Sequence, residues 1–141
     1  MVLLAPSTAT AVTDSSISVQ APKTVKPGKT FKVIADVTFD SRLYNPPYTY
    51  LAAGVWQHRG DDPCLKAVPV DRRGWKQRID HDYNPDIDDP DSLLELSASL
   101  KLTKTGTYRW CGYVYTIEGD ILSGETYHPV ARAQARTSVR N

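Results

Sequence analysis

Residues 30–40 read Thr-Phe-Lys-Val-Ile-Ala-Asp-Val-Thr-Phe-Asp, and their period decides the fold class. Phe31, Val33, Ala35, Val37 and Phe39 fall on one side of an extended chain, and Lys32, Asp36, Thr38 and Asp40 fall on the other. Successive side chains of a strand point to opposite faces, so this is a strand with one wet and one buried face. The same period returns in 93–103, where Leu94, Leu96, Ala98, Leu100 and Leu102 alternate with Glu95, Ser97, Ser99 and Lys101. It returns again at the C-terminal end, with Ala131, Ala133, Ala135, Thr137 and Val139 set against Arg132, Gln134, Arg136, Ser138 and Arg140. Residues 48–56 and 107–116 are apolar on both faces, as central strands are. Residues 17–21 form a short first strand, and Pro27-Gly28 and Thr105-Gly106 supply turns, since Pro presets φ and Gly tolerates positive φ. No stretch carries a sustained helical period with caps, so helix is confined to a turn or two. Residues 60–92 are polar, broken by Pro63, Pro69, Pro85 and Pro90, and read as a long excursion around one edge strand near 65–70.

The 141 residues suit one domain. Lys+Arg 17 against Asp+Glu 16 leaves a net charge of +1, far from the basic excess of a nonspecific nucleic-acid binder. No apolar run has the roughly 18–20 residues that span a bilayer.

The approach to the second strand, Pro22-Lys-Thr-Val-Lys-Pro-Gly-Lys-Thr-Phe31, together with Trp56 on the third strand and Gly106-Thr-Tyr-Arg-Trp-Cys111 on the sixth, resembles the immunoglobulin-like β-sandwich. The resemblance implies an all-β, antiparallel sandwich of about seven strands over 16–141, with Tyr108 in the place of a tyrosine corner, its hydroxyl bonded to the upstream backbone. No cysteine lies on the second strand, so the antibody-type intersheet bridge is absent. The pattern is closer to Ig-like domains of secreted bacterial proteins, in which a cysteine after the third strand bridges to one in the sixth. That resemblance implies a disulfide between Cys64 and Cys111.

Residues 1–15 read as an N-terminal arm. Ala9-Thr10-Ala11 has the form of a signal-peptidase site, but the apolar part is short and has no basic residues before it. The arm is either the remnant of a signal peptide or an arm used in assembly. With the cysteine pair, this points to a secreted or cell-surface location.

Chemistry-bearing residues concentrate in two neighbouring runs. Asp80, Asp82, Asn84, Asp86, Asp88 and Asp91 match the oxygen spacing of a calcium loop, which makes calcium the cofactor to consider. Pro85, however, stands where that loop needs a glycine, and Pro cannot reach positive φ. A solvated acidic loop is the other reading. Upstream, Arg72, Arg73, Lys76 and Arg78 surround Trp75, an aromatic and basic combination suited to sugars or phosphates, although the aspartates that follow repel a polyanion. Tyr44, Tyr48 and Tyr50, near Asn45-Pro46-Pro47, offer a second contact or glycan platform. No nucleophile elbow, HExxH, phosphate loop or CxxC is present, and His58, His81 and His128 are scattered. The expectation is a non-catalytic domain without a resident cofactor that acts through protein contact. Its partners are expected to be other copies of itself or an extracellular protein, in self-assembly, a filament or cell adhesion. Extracellular carbohydrate binding is the alternative.

Overall fold

The computed structural model describes residues 14–89, 92–120, 122 and 124–141, and the arm expected over 1–15 lies almost wholly outside them. Among the described residues eight strands account for nearly all regular structure: β1 (Ser16–Gln20), β2 (Thr24–Val25), β3 (Thr30–Thr38), β4 (Thr49–Arg59), β5 (Trp75–Asp82), β6 (Leu94–Lys101), β7 (Gly106–Asp120) and β8 (Gly124–Val139). One 3-10 turn, Ser41–Leu43, is the sole helical element among the described residues. One sheet has the order β1-β3-β6 and the other β2-β8-β7-β4-β5. All pairings are antiparallel except the short β2–β8 contact, which is parallel. This is an immunoglobulin-like β-sandwich.

The alternating strands place their apolar sets between the sheets as their period requires. Ala35 pairs with Val19 on one side and Leu96 on the other, giving an apolar row across the smaller sheet. Phe31, Val33, Ala35, Val37 and Phe39 are all buried there, facing Leu51, Ala53, Val55, Trp110, Val114 and Val139 of the larger sheet. Gly112 lies where β1 comes closest to β7. A Cβ at that position would stand 2.6 Å from Val19 Cγ2 and 2.9 Å from Ile17 Cδ1, so only glycine lets the first strand close against the larger sheet.

The tyrosine corner is formed: Tyr108 is buried and its hydroxyl donates to the Lys104 carbonyl at 2.8 Å. Trp56 turns to the outer face of the larger sheet, and the tryptophan between the sheets is Trp110. One sequence expectation is corrected. The edge strand within the excursion is β5, at Trp75–Asp82, and not 65–70. Pro69 in that stretch has no N–H to give to a ladder, and Val68 and Val70 pack flat over the outer face of the larger sheet instead.

Candidate functional site

The up-and-down strands bring three distant parts of the chain to one end of the sandwich: residues 39–48, residues 83–89 and the adjoining ends of β7 and β8. The register shows why. Val37 stands opposite Leu94, Thr49 opposite Glu118, and Ala52 opposite Asp82. Aromatic rings converge here. Tyr83 packs on Phe39 and on Tyr44, each at 5.2 Å between centroids, and Tyr44 meets Tyr50 edge-on at 6.1 Å. Tyr44 is thereby part of the core margin, whereas Tyr50 is 45% exposed and Tyr48 72% exposed. A recess of about 150 Å³ opens beside them, lined by Tyr50, Leu51, Asp82, Tyr83, Ile117 and Glu125. The exposed Ile87, Leu93 and Leu122 belong to the same end.

The base of this end is fastened by Asp40. Its buried carboxylate accepts Arg42 Nε at 2.9 Å, Arg42 Nη2 at 2.8 Å and the Arg42 backbone N–H at 3.1 Å, while Arg42 also reaches Asp14 at 3.5 Å. The hydrogen bonds from Arg42 hold the Asp40 carboxyl below the usual carboxylate range, although burial works against them. The Asp40 N–H donates to Ser15 Oγ at 2.9 Å, tying the start of the described chain to the same point.

The acidic run divides between two faces of β5. His81 turns inward and pairs with Asp88 at 2.9 Å, and Asp88 also accepts the Asn84 backbone N–H at 2.8 Å. Asn84 in turn accepts the Asp86 N–H at 2.9 Å. Asp80 and Asp82 project from the other face, beside Tyr115. Burial, then the neighbouring Asp82, raises the Asp80 carboxyl, and burial with these two aspartates pushes the Tyr115 hydroxyl well up. Asp91 lies outside the described residues. Among the described residues no three His, Cys, Asp or Glu side chains are gathered to hold a metal ion.

The second candidate platform sits elsewhere. Trp75 begins β5 and stacks on His58, with centroids 4.5 Å apart and an interplanar angle of 18°, so one ring face is occupied. Arg72 and Arg73 are exposed in the turn just before it. The topology therefore separates Trp75, Arg72 and Arg73 from Tyr44, Tyr48 and Tyr50, which stand at the opposite end of β4.

The outer face of the larger sheet carries its own aromatic layer of Trp56, Tyr113 and Tyr115, closed over by Val68. Cys64 and Cys111 are joined in a disulfide, so the bridge clamps the excursion onto this outer face and does not link the two sheets. Tyr113 donates to the Leu65 carbonyl at 2.6 Å, and Arg109 contacts the Asp61 carbonyl at 3.3 Å. No single stretch of sequence signals this layer, because its members come from β4, β7 and the excursion.

The feature that sequence reasoning missed is a separation of charge along the strands. Exposed Asp14, Asp82, Asp86, Asp89, Glu95, Glu118 and Glu125 surround the tyrosine end, where Arg42 is tied down by Asp40 and Asp14. Exposed Lys23, Lys26, Lys29, Arg59, Lys101, Lys104 and Arg140 surround the other end. Two acids near that end are engaged: Asp61 meets Arg109 at 3.5 Å and Arg136 at 3.6 Å, and Asp62 meets His58 at 3.4 Å. No lysine takes part in an ion pair among the described residues. The net charge of +1 conceals two oppositely charged ends.

No protein-family model matches the sequence, and no curated protein does. The chain shares its fold with the CARDB domain of a Pyrococcus furiosus protein, crystallised in complex with di-metal ions. The identity is 14%, the TM-score 0.56, and the match covers 96% of this chain and 95% of that one. A superoxide reductase (neelaredoxin) from Ignicoccus hospitalis gives a TM-score of 0.46 at 16% identity, covering 89% of this chain and 80% of that one. At these identities the first likeness is one of fold alone, and the second is too weak to add to it.

Proposed function

We propose that this domain is a non-catalytic, exported contact module whose copies meet end to end, building a surface or filament-like structure or serving in adhesion. The observation that carries the reading is the separation of exposed carboxylates at the tyrosine end from exposed lysines and arginines at the other. Like ends repel and unlike ends attract, so the field orients approaching copies head to tail before they touch. A contact of this kind uses two different patches, so each added copy regenerates a free end. Exposed Tyr48, Tyr50, Ile87 and Leu93 supply apolar surface for such a contact to cover. The Cys64–Cys111 bridge supports export, because disulfides persist in oxidising compartments.

Sedimentation velocity over a range of protein and salt concentrations tests this. The expected result is a mass that rises with protein concentration and falls as salt screens the ends. A monomer at high concentration and low salt, both before and after removal of residues 1–16, overturns it.

One observation favours a second reading, in which the same end takes an extracellular carbohydrate. Tyr50 stands in a recess with Asp82 and Glu125, which pairs a ring for stacking with carboxylates that accept sugar hydroxyls. A glycan array with wild type, Tyr50→Ala and Trp75→Ala separates the platforms. This reading expects binding lost with Tyr50→Ala and kept with Trp75→Ala, and an array without hits overturns it.

A further inference from the structure

We infer that the tyrosine-bearing end of one copy seats in the groove between β1 and β8 of the next, with Tyr48 as the buried anchor and Lys23 as the rim cation that pairs with its acids. This rests on the end-to-end contact proposed above and names its two surfaces.

The groove follows from the way the chain changes sheets. β1 ends at Gln20 in the smaller sheet and β2 begins at Thr24 in the larger one, where it pairs with β8 only at Ser138 and Val139. Upstream of Ser138 the β8 edge has no neighbouring strand among the described residues, and a cavity of about 550 Å³ opens between it and β1. Val19, Ala21 and Ala135 give it an apolar floor, and of the two basic residues on its lining Arg136 meets Asp61 at 3.6 Å while Lys23 takes part in no ion pair among the described residues. Small floor residues leave room for a large side chain, and the volume is in the range of sites that hold a whole ligand group.

The occupant is argued from charge and from presentation. Lys23 at the rim disfavours the basic end of a neighbour and favours its acidic end. Within that end, Tyr48 projects from a turn fixed by its own hydrogen bonds. The Tyr48 N–H donates to the Asn45 carbonyl at 2.9 Å, and the Asn45 N–H donates to the Thr49 carbonyl at 2.9 Å. Glu118 lies across from Thr49 in the β4–β7 ladder, and Glu125 is close by beside Tyr50. A tyrosine on a pre-formed turn loses little freedom when it is buried, and tyrosine is among the residues that dominate interface energetics. An exposed ring at the acidic end and an apolar pocket with a lysine at its rim are complementary halves of one contact.

Two full-length variants test the pairing, with wild type as the reference. Tyr48→Ala removes the anchor and leaves the groove. Lys23→Glu reverses the rim and leaves the anchor. Both positions are exposed, and thermal melting confirms that the variants are folded. Each variant alone is expected to self-associate about 10-fold more weakly than wild type, or worse. Mixed in equal amounts, they are expected to form one-to-one dimers and nothing longer, because each supplies the half that the other lacks. Tyr48→Ala associating like wild type while the charge reversal dissociates overturns the anchor and leaves the end-to-end reading standing. Association lost only on removal of residues 1–13 assigns the groove to that segment and overturns the inference. A mixture that stays monomeric overturns the pairing, and a wild type that is monomeric throughout overturns both proposals.

Discussion

The indole N–H of Trp110 donates to Thr137 Oγ1 at 2.9 Å, and that hydroxyl donates to the Pro22 carbonyl at 2.7 Å. Trp110 and Thr137 are both fully buried, so this relay joins β7, β8 and the crossing between the sheets through a single hydroxyl. Thr137→Val keeps the shape and leaves a donor and an acceptor unpaired inside the core. The expected cost is about 2–4 kcal/mol, measured by urea unfolding against wild type, and Thr137→Ser is expected to recover most of it.

Gly112→Val is expected to drive β1 away from β7. The new Cβ would meet Val19 and Ile17 at distances that real Cβ atoms do not adopt, and Val19 has little rotamer freedom with which to yield. Overpacking of this kind costs about 1–3 kcal/mol. Hydrogen exchange localises the effect, with protection lost over Ser16–Gln20 and retained in β4 and β7.

Joint replacement Cys64→Ser with Cys111→Ser removes a constraint over a sequence separation of 47 residues. In the chain-entropy account that constraint contributes on the order of 4 kcal/mol, with about 2–4 kcal/mol the expected loss in chemical denaturation. The excursion is expected to loosen before the sandwich does. The readout is a red shift in the emission of Trp56, followed in a Trp75→Phe background while Trp110 stays buried between the sheets.

The Asp40–Arg42 pair gives a pH dependence with a definite sign. The Asp40 carboxyl has a lower pKa folded than unfolded, so its contribution to stability is present at neutral pH. It is lost as pH falls through the folded value, with the decline beginning near the unfolded value of about 3.9. Asp40→Asn is expected to cost about 1–2 kcal/mol at pH 7, a modest figure because Arg42 is largely exposed to solvent. The gap to wild type is expected to narrow in melts taken below about pH 4.

Strands β3, β6 and β8 were legible because each has one face in the core and one in water, so the period is written in the residue types. In β5, Ile79 is the single strongly apolar inward residue, with His81 after it and charged neighbours on both sides, and an extra residue, Arg78, interrupts the register opposite Val55 and Trp56. That leaves too little contrast for a period to appear. The facing of Trp56 was hidden for the opposite reason. Both faces of β4 are buried, one by the smaller sheet and one by the excursion, so apolar residues occur at every position. The turn Thr105-Gly106 followed by Tyr108 was enough to place the tyrosine corner. The charge separation was not readable, since Asp14, the acids of the β5–β6 region and Glu118 are far apart in the chain and only the strand order brings them to one end.

β1 is entered at the acidic end and β8 is left at the basic end, and both run along the direction in which copies would be stacked. Tension applied through those two strands would slide each past its neighbours, loading many backbone hydrogen bonds together and not breaking them one after another. The loop from Cys64 to Cys111 is closed covalently and could not be paid out as slack. A thread made of such beads would stretch little before it failed.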